Sequence, residues 1–103
     1  METIELTALI IGYAQHSDYK LHFSHAVLVI VTDYGDKLWY IDVDGVTDHA
    51  LLSWFGQSED IRVELTAKSR SGEEYQGTAY FHPNEPSLAA AIRGDGELRR
   101  IQP

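Results

Sequence analysis

The chain has 103 residues, no cysteine, a net charge of −8 and a hydrophobic fraction of 44%. That length fits one domain, residues 1–103, and that composition does not fit wholesale disorder. The missing cysteine excludes disulfides, thiolate metal sites and cysteine nucleophiles, and the lack of disulfide staples points to the cytoplasm.

Met1 runs directly into Glu2 and an alternating segment, so no secretory leader is expected. The longest apolar run, Ala26 to Val31, is too short to cross a bilayer as a helix. The charge is lopsided: residues 1–61 hold ten acids and two bases, whereas residues 62–103 hold six of each. An excess of acid in the first half repels a phosphate backbone, so no nucleic acid is expected, and it steers basic protein surfaces towards the chain.

In chain order, Thr3 to Ile11 alternates, with Ile4, Leu6, Ala8 and Ile10 predicted on one face and Thr3, Glu5 and Thr7 on the other. Gly12 to Ser24 is polar and irregular and reads as a long loop or a distorted edge. His25 to Thr32 is apolar on both faces and rich in β-branched residues, the pattern of a central strand. Asp33 to Lys37 reads as a turn, and Leu38 to Val43 as the returning strand of a hairpin, with Trp39, Ile41 and Val43 inward.

Thr47 to Phe55 predicts the helix. Thr47 or Asp48 caps its start, Leu51 and Phe55 fall on one side, and Gly56 is the expected C-terminal cap. Asp60 to Ser69 and Glu74 to His82 alternate as a second hairpin, with Gly77 marking a bulge or a close approach of another backbone. Ser87 to Arg93 carries a capping serine and three alanines, yet it precedes Gly94-Asp95-Gly96, a hairpin-type turn before Leu98 to Ile101. A strand pair is therefore expected there. The fold class is mostly β: a small antiparallel barrel or rolled sheet of six to seven strands, with one short helix between two hairpins.

Candidate chemistry is sparse. His16, Asp18, His22 and His25 carry metal-ligating groups within ten residues, but three-residue spacing splits His22 and His25 across a strand. Asp42-Val43-Asp44-Gly45 has acids as a calcium loop does, but its glycine stands at position four rather than six. No nucleophile elbow, phosphate loop or dinucleotide fingerprint is present, so no enzyme activity and no cofactor is expected.

Tyr34, Asp36, Tyr40, Asp42 and Asp44 lie on or beside the first hairpin. Tyrosines among carboxylates suit recognition of a basic protein surface. The leading expectation is a non-catalytic interaction module, a small acidic adaptor or inhibitor. A barrel holding a small apolar ligand or a metal is the alternative, and an open strand edge would let two copies pair.

From the helix onward, Leu51-Leu52, Ile61 to Leu65, Gly72, Tyr75-Gln76-Gly77 and Ile92-Arg93-Gly94-Asp95 run in the order helix, strand, glycine turn, Tyr-x-Gly strand and closing Ile-Arg-Gly segment. In that order the chain resembles, in part, an Sm-like RNA-binding domain. The resemblance implies a small barrel that binds RNA. It covers about the last half of the chain, leaves the first 46 residues without counterpart, and departs after Phe81. There the family's Asp-x-x-Met-Asn loop is replaced by His82-Pro83-Asn84-Glu85-Pro86.

Overall fold

The computed structural model describes residues 1–14, 16–32 and 38–101. It contains strands β1 (Glu2–Tyr13), β2 (His16–Lys20), β3 (His25–Val31) and β4 (Leu38–Asp44), and helix α1 (His49–Gln57). Strands β5 (Arg62–Ser69) and β6 (Glu74–Asn84) follow, then a 3-10 turn at Glu85–Ser87 and strand β7 (Ala89–Ile101). The sheet order is β2-β1-β3-β4-β7-β6-β5, and β1 also pairs with β5. That last pairing closes six antiparallel strands into a barrel, with β2 as an extra strand and no described helix long and apolar enough to cross a membrane. The Asp33–Lys37 turn of the first hairpin lies outside the described residues.

Closure requires β1 to serve two neighbours. Glu2 to Glu5 pairs with β3, and Leu6 to Gly12 pairs with β5. The register against β5 shifts between Leu6 and Ala8. One extra residue there exchanges the two faces of the strand. Ile4 and Leu6 point inward before the bulge, Leu9 and Ile11 after it, and Ala8 and Ile10 end up outside. The expected inward placing of Ala8 and Ile10 is thereby corrected, and Leu9 and Ile11, which interrupt the polar face in the sequence, are the buried residues of that half.

The segment expected as a loop or distorted edge contains β2. It pairs with the last residues of β1 through Ile10–Lys20 and Ile11–Tyr19, and is bulged around Asp18, whose φ is +57°. Its polar sequence follows from its place, since it lies outside the closed barrel and has little core to cover. The bulge and the charges of Asp18 and Lys20 also blunt its free edge against pairing with another copy.

The barrel interior is filled. Leu9, Ile11, Leu28, Ile41, Phe81 and Ile92 are fully buried, with Trp39 and Tyr75 beside them. α1 closes one end. Leu51, Leu52 and Phe55 face the core, and the Phe55 ring stacks on Phe81 with centroids 4.3 Å apart. The helix starts at Asp48, whose Oδ1 accepts from the Leu51 amide at 3.0 Å. It runs through Gly56 to Gln57, so Gly56 is not the terminal cap. A Cβ at Gly56 would lie 3.1 Å from Glu85 Oε1, so the missing side chain admits the chain after β6.

No turn forms at Gly94-Asp95-Gly96, where one was expected: β7 continues through it, with a register shift against β6. The glycines accommodate Trp39, whose indole lies against Gly94 and donates from Nε1 to the Gly96 carbonyl at 3.0 Å. Gly96 takes a φ of +83°, a conformation open to glycine at little cost.

Tyr19 ties β2 to the helix by donating its hydroxyl to Asp48 Oδ2. That bond, followed by the Leu51 amide, holds the Asp48 carboxyl below the usual carboxylate range. Burial, then the bond to Asp48, pushes the Tyr19 phenol up to about 12. The linkage has two signs. Asp48 stabilises the fold fully above its unfolded pKa of 3.8 and loses that effect as acid titrates it below. Tyr19 stabilises fully below 10.0 and loses its effect as pH rises towards about 12. Replacing Asp48 with alanine is expected to cost about 1–2 kcal/mol in urea unfolding. Tyr19→Phe should cost about 1 kcal/mol and remove the late phenolate step from an alkaline absorbance titration.

Candidate functional site

The outward residues of β4 are Leu38, Tyr40, Asp42 and Asp44, alternating with the buried Trp39, Ile41 and Val43. β7 lies on one side of β4, and β6 lies beyond β7. The registers give two outward rows across these strands: Asp42–Ala91–His82 and Asp44–Ala89–Asn84. The alanines of β7 leave a trough of about 460 Å³ between the carboxylates of β4 and the His82–Asn84 segment of β6. With strands about 4.8 Å apart, the trough is about 10 Å wide.

Its floor is apolar and one wall is anionic. Among the described residues, Asp42 and Asp44 have no cation within ion-pair distance, and their outward neighbours on β3 are Val27 and His25. Tyr40 is half-buried between Val29 of β3 and Arg93 of β7, so the acidic stretch ends at that row. Tyr34 and Asp36, the other two residues expected to bind a partner, lie outside the described residues.

The described acids of the first half of the chain do not form one patch. Glu5 accepts from Arg70 at 3.0 Å and lies 3.8 Å from His25, and Glu2 stands 4.0 Å from Arg100. Asp48 is engaged in the helix cap. Arginines from the neutral second half thus offset part of the first half's excess, while Asp42 and Asp44 keep theirs.

The four groups considered for metal do not converge. His16 and Asp18 are on β2, with the His16 ring 5.1 Å from Tyr13. His22 is exposed between β2 and β3, and its carbonyl accepts from the Thr47 amide. His25 begins β3 beside Glu5. Among the described residues, no group of three or more His, Asp or Glu side chains is placed to hold a metal ion.

Two other surface features are formed. A polar groove of about 580 Å³ passes over Gly12 between β2 and β5, lined by acids and bases alike, among them Asp18, Glu64, Arg62 and Arg99. A wider cleft opens at the end of the barrel opposite α1, over Trp39 and Tyr75. Tyr75 is covered there by the Arg100 guanidinium, 5.3 Å from its ring centroid, and Arg100 pairs with Glu73 at 3.2 Å.

Sequence reasoning placed Tyr40, Asp42 and Asp44 together but missed the alanines and the His82–Asn84 segment that complete the trough. Small residues carry no chemical signal, and the strand order that sets them beside β4 is non-local. Comparisons of this chain with protein-family models, curated proteins and solved structures give no match.

Proposed function

We propose that this barrel is a binding module, and that the outer face of β4, β7 and β6 receives an extended, positively charged segment of another protein. The observation that carries this reading is the pairing of an alanine floor with two carboxylates that, among the described residues, have no cation within ion-pair distance. An arginine or lysine side chain needs both: apolar surface for its methylenes and an anion for its head group. Asp42 and Asp44 are two residues apart on one strand face, about 7 Å, so a single guanidinium or two successive basic side chains can engage them. The same carboxylates disfavour a phosphate backbone.

A blocked peptide alternating arginine and alanine tests the reading by amide chemical shifts. The expected result is saturable shifts at Ala89 to Ala91 and at Asp42 to Asp44, weakening as salt is raised. The double substitution Asp42→Asn and Asp44→Asn should reduce affinity by roughly tenfold or more while leaving the unfolding midpoint near that of the parent, since both side chains are exposed. Unchanged affinity in that variant, or shifts that map to another face, would remove the proposal.

A further inference from the structure

We infer that the trough also reads a charge of the opposite sign: the segment it receives carries an acidic side chain two positions from a basic one, and Arg93 takes that carboxylate. The inference rests on the reading of the trough given above and names the kind of segment it selects.

Arg93 is the next outward residue of β7 after Ala89 and Ala91, so it stands at one end of the alanine floor. The registers set it between Tyr40 of β4 and Tyr80 of β6, in the row that follows Asp42–Ala91–His82. Arg93 is exposed, and among the described residues no carboxylate lies within ion-pair distance of it. The next outward residue of β7, Asp95, is already engaged. It lies 3.6 Å from Arg62 and accepts from the Tyr80 hydroxyl at 3.3 Å.

One sheet face therefore presents two carboxylates and a guanidinium that are not matched to each other. Outward rows follow one another at about 7 Å, so Arg93 stands about 7 Å from the Asp42 row and about 14 Å from the Asp44 row. An extended chain lying along β7 repeats its own same-side residues at the same interval. A basic side chain over the Asp42 row then brings the side chain two positions away over Arg93. A carboxylate there pairs with the guanidinium, whereas a second cation is repelled. Arg93 thus selects against a uniformly basic segment, and specificity gained through such a repulsive contact is a common device of interfaces.

The test uses the whole protein and two blocked pentapeptides, Arg-Ala-Arg-Ala-Glu and Glu-Ala-Arg-Ala-Arg, each against its counterpart with glutamine for glutamate. Affinities are taken from amide chemical shifts at low salt. Attraction to a chain of net charge −8 would by itself make the glutamate peptides the weaker binders. The expected result is the opposite for one of them: binding about three- to fivefold tighter than its glutamine counterpart, the size of an exposed ion pair, with shifts that reach Arg93. Which peptide gains reports the direction in which the segment lies. Arg93→Gln should remove the gain and leave the glutamine peptides bound at least as tightly as before. Arg93→Glu should make both glutamate peptides weaker than their counterparts. The side chain is exposed, so both variants should unfold near the parent midpoint. A gain in neither peptide, or a gain that survives Arg93→Gln, overturns the inference, and the basic-segment reading then stands if the glutamine peptides still require Asp42 and Asp44. No binding of any peptide at millimolar concentration overturns both.

Discussion

Replacing Phe55 with alanine is expected to lower the folding stability by about 3–5 kcal/mol, the range for truncating a fully buried phenylalanine. Phe55 is 1% exposed and contacts three other rings: Phe81 at 4.3 Å, Tyr13 at 4.9 Å and Trp54 at 4.9 Å. It is the side chain through which α1 enters the end of the barrel. Its removal leaves a void lined by rigid aromatic groups, which relax poorly into the space. A domain of this size has about 5–15 kcal/mol in total, so the loss is a large share. Urea unfolding should show an earlier midpoint, and Trp54, already 41% exposed, should become more so and shift its emission to the red. A loss below about 1 kcal/mol would mean that the helix does not plug the barrel.

A comparable loss, about 3 kcal/mol or more, is expected when Gly94 becomes alanine. A Cβ built there would lie 2.2–2.5 Å from Cε2, Cδ2 and Nε1 of Trp39. One at Gly77 would lie 2.8 Å from Cζ2, so the indole rests across two neighbouring strands at their glycines. Trp39 is held in place, being 4% exposed and donating from Nε1 to the Gly96 carbonyl. The cost should therefore fall on the backbone of β7. The confirming measurement is a double-mutant cycle: Gly94→Ala should be much less harmful when Trp39 is already leucine, with a coupling of at least about 1 kcal/mol. Additive effects would place the indole elsewhere.

Much of this architecture was legible from residue patterns. The alternation of Val63, Leu65 and Ala67 against Arg62, Glu64, Thr66 and Lys68 reproduces the two faces of β5, and Trp39, Ile41 and Val43 those of β4. The helix start was legible because Asp48 acts locally on its own helix. What stayed hidden depends on distant partners. The β1 bulge at Thr7 is imposed where β1 passes from β3 to β5, and no local signal in Leu6-Thr7-Ala8 marks it. Gly94 and Gly96 read as a turn because small residues serve turns and close packing equally well, and only Trp39, more than fifty positions away, decides between them. β2 was legible only as one of two alternatives, a distorted edge rather than a loop, because a strand with no core behind it has no apolar rhythm to read.

The candidate site divides along the same line. Asp42 and Asp44 were recognised as a pair because they share a strand face. The trough they border was not, since Ala89 and Ala91 become its floor only when β7 inserts between β4 and β6. The acid excess of the first half does not carry over whole into the fold, because Arg70 and Arg100 arrive from the second half to meet Glu5 and Glu2.

The double duty of β1 has a consequence for how the chain is made. Leu6 finds Ser69 and Gly12 finds Glu64, while Tyr40 waits for Arg93, so both seams of the barrel are sewn by residues synthesised much later. A ribosome releasing the chain from its first residue exposes β1 to β4 as an open sheet, bare along both borders, until the remaining strands emerge. Neither half can shelter its own apolar face, and a product stalled before β7 would present the sticky borders that aggregation exploits.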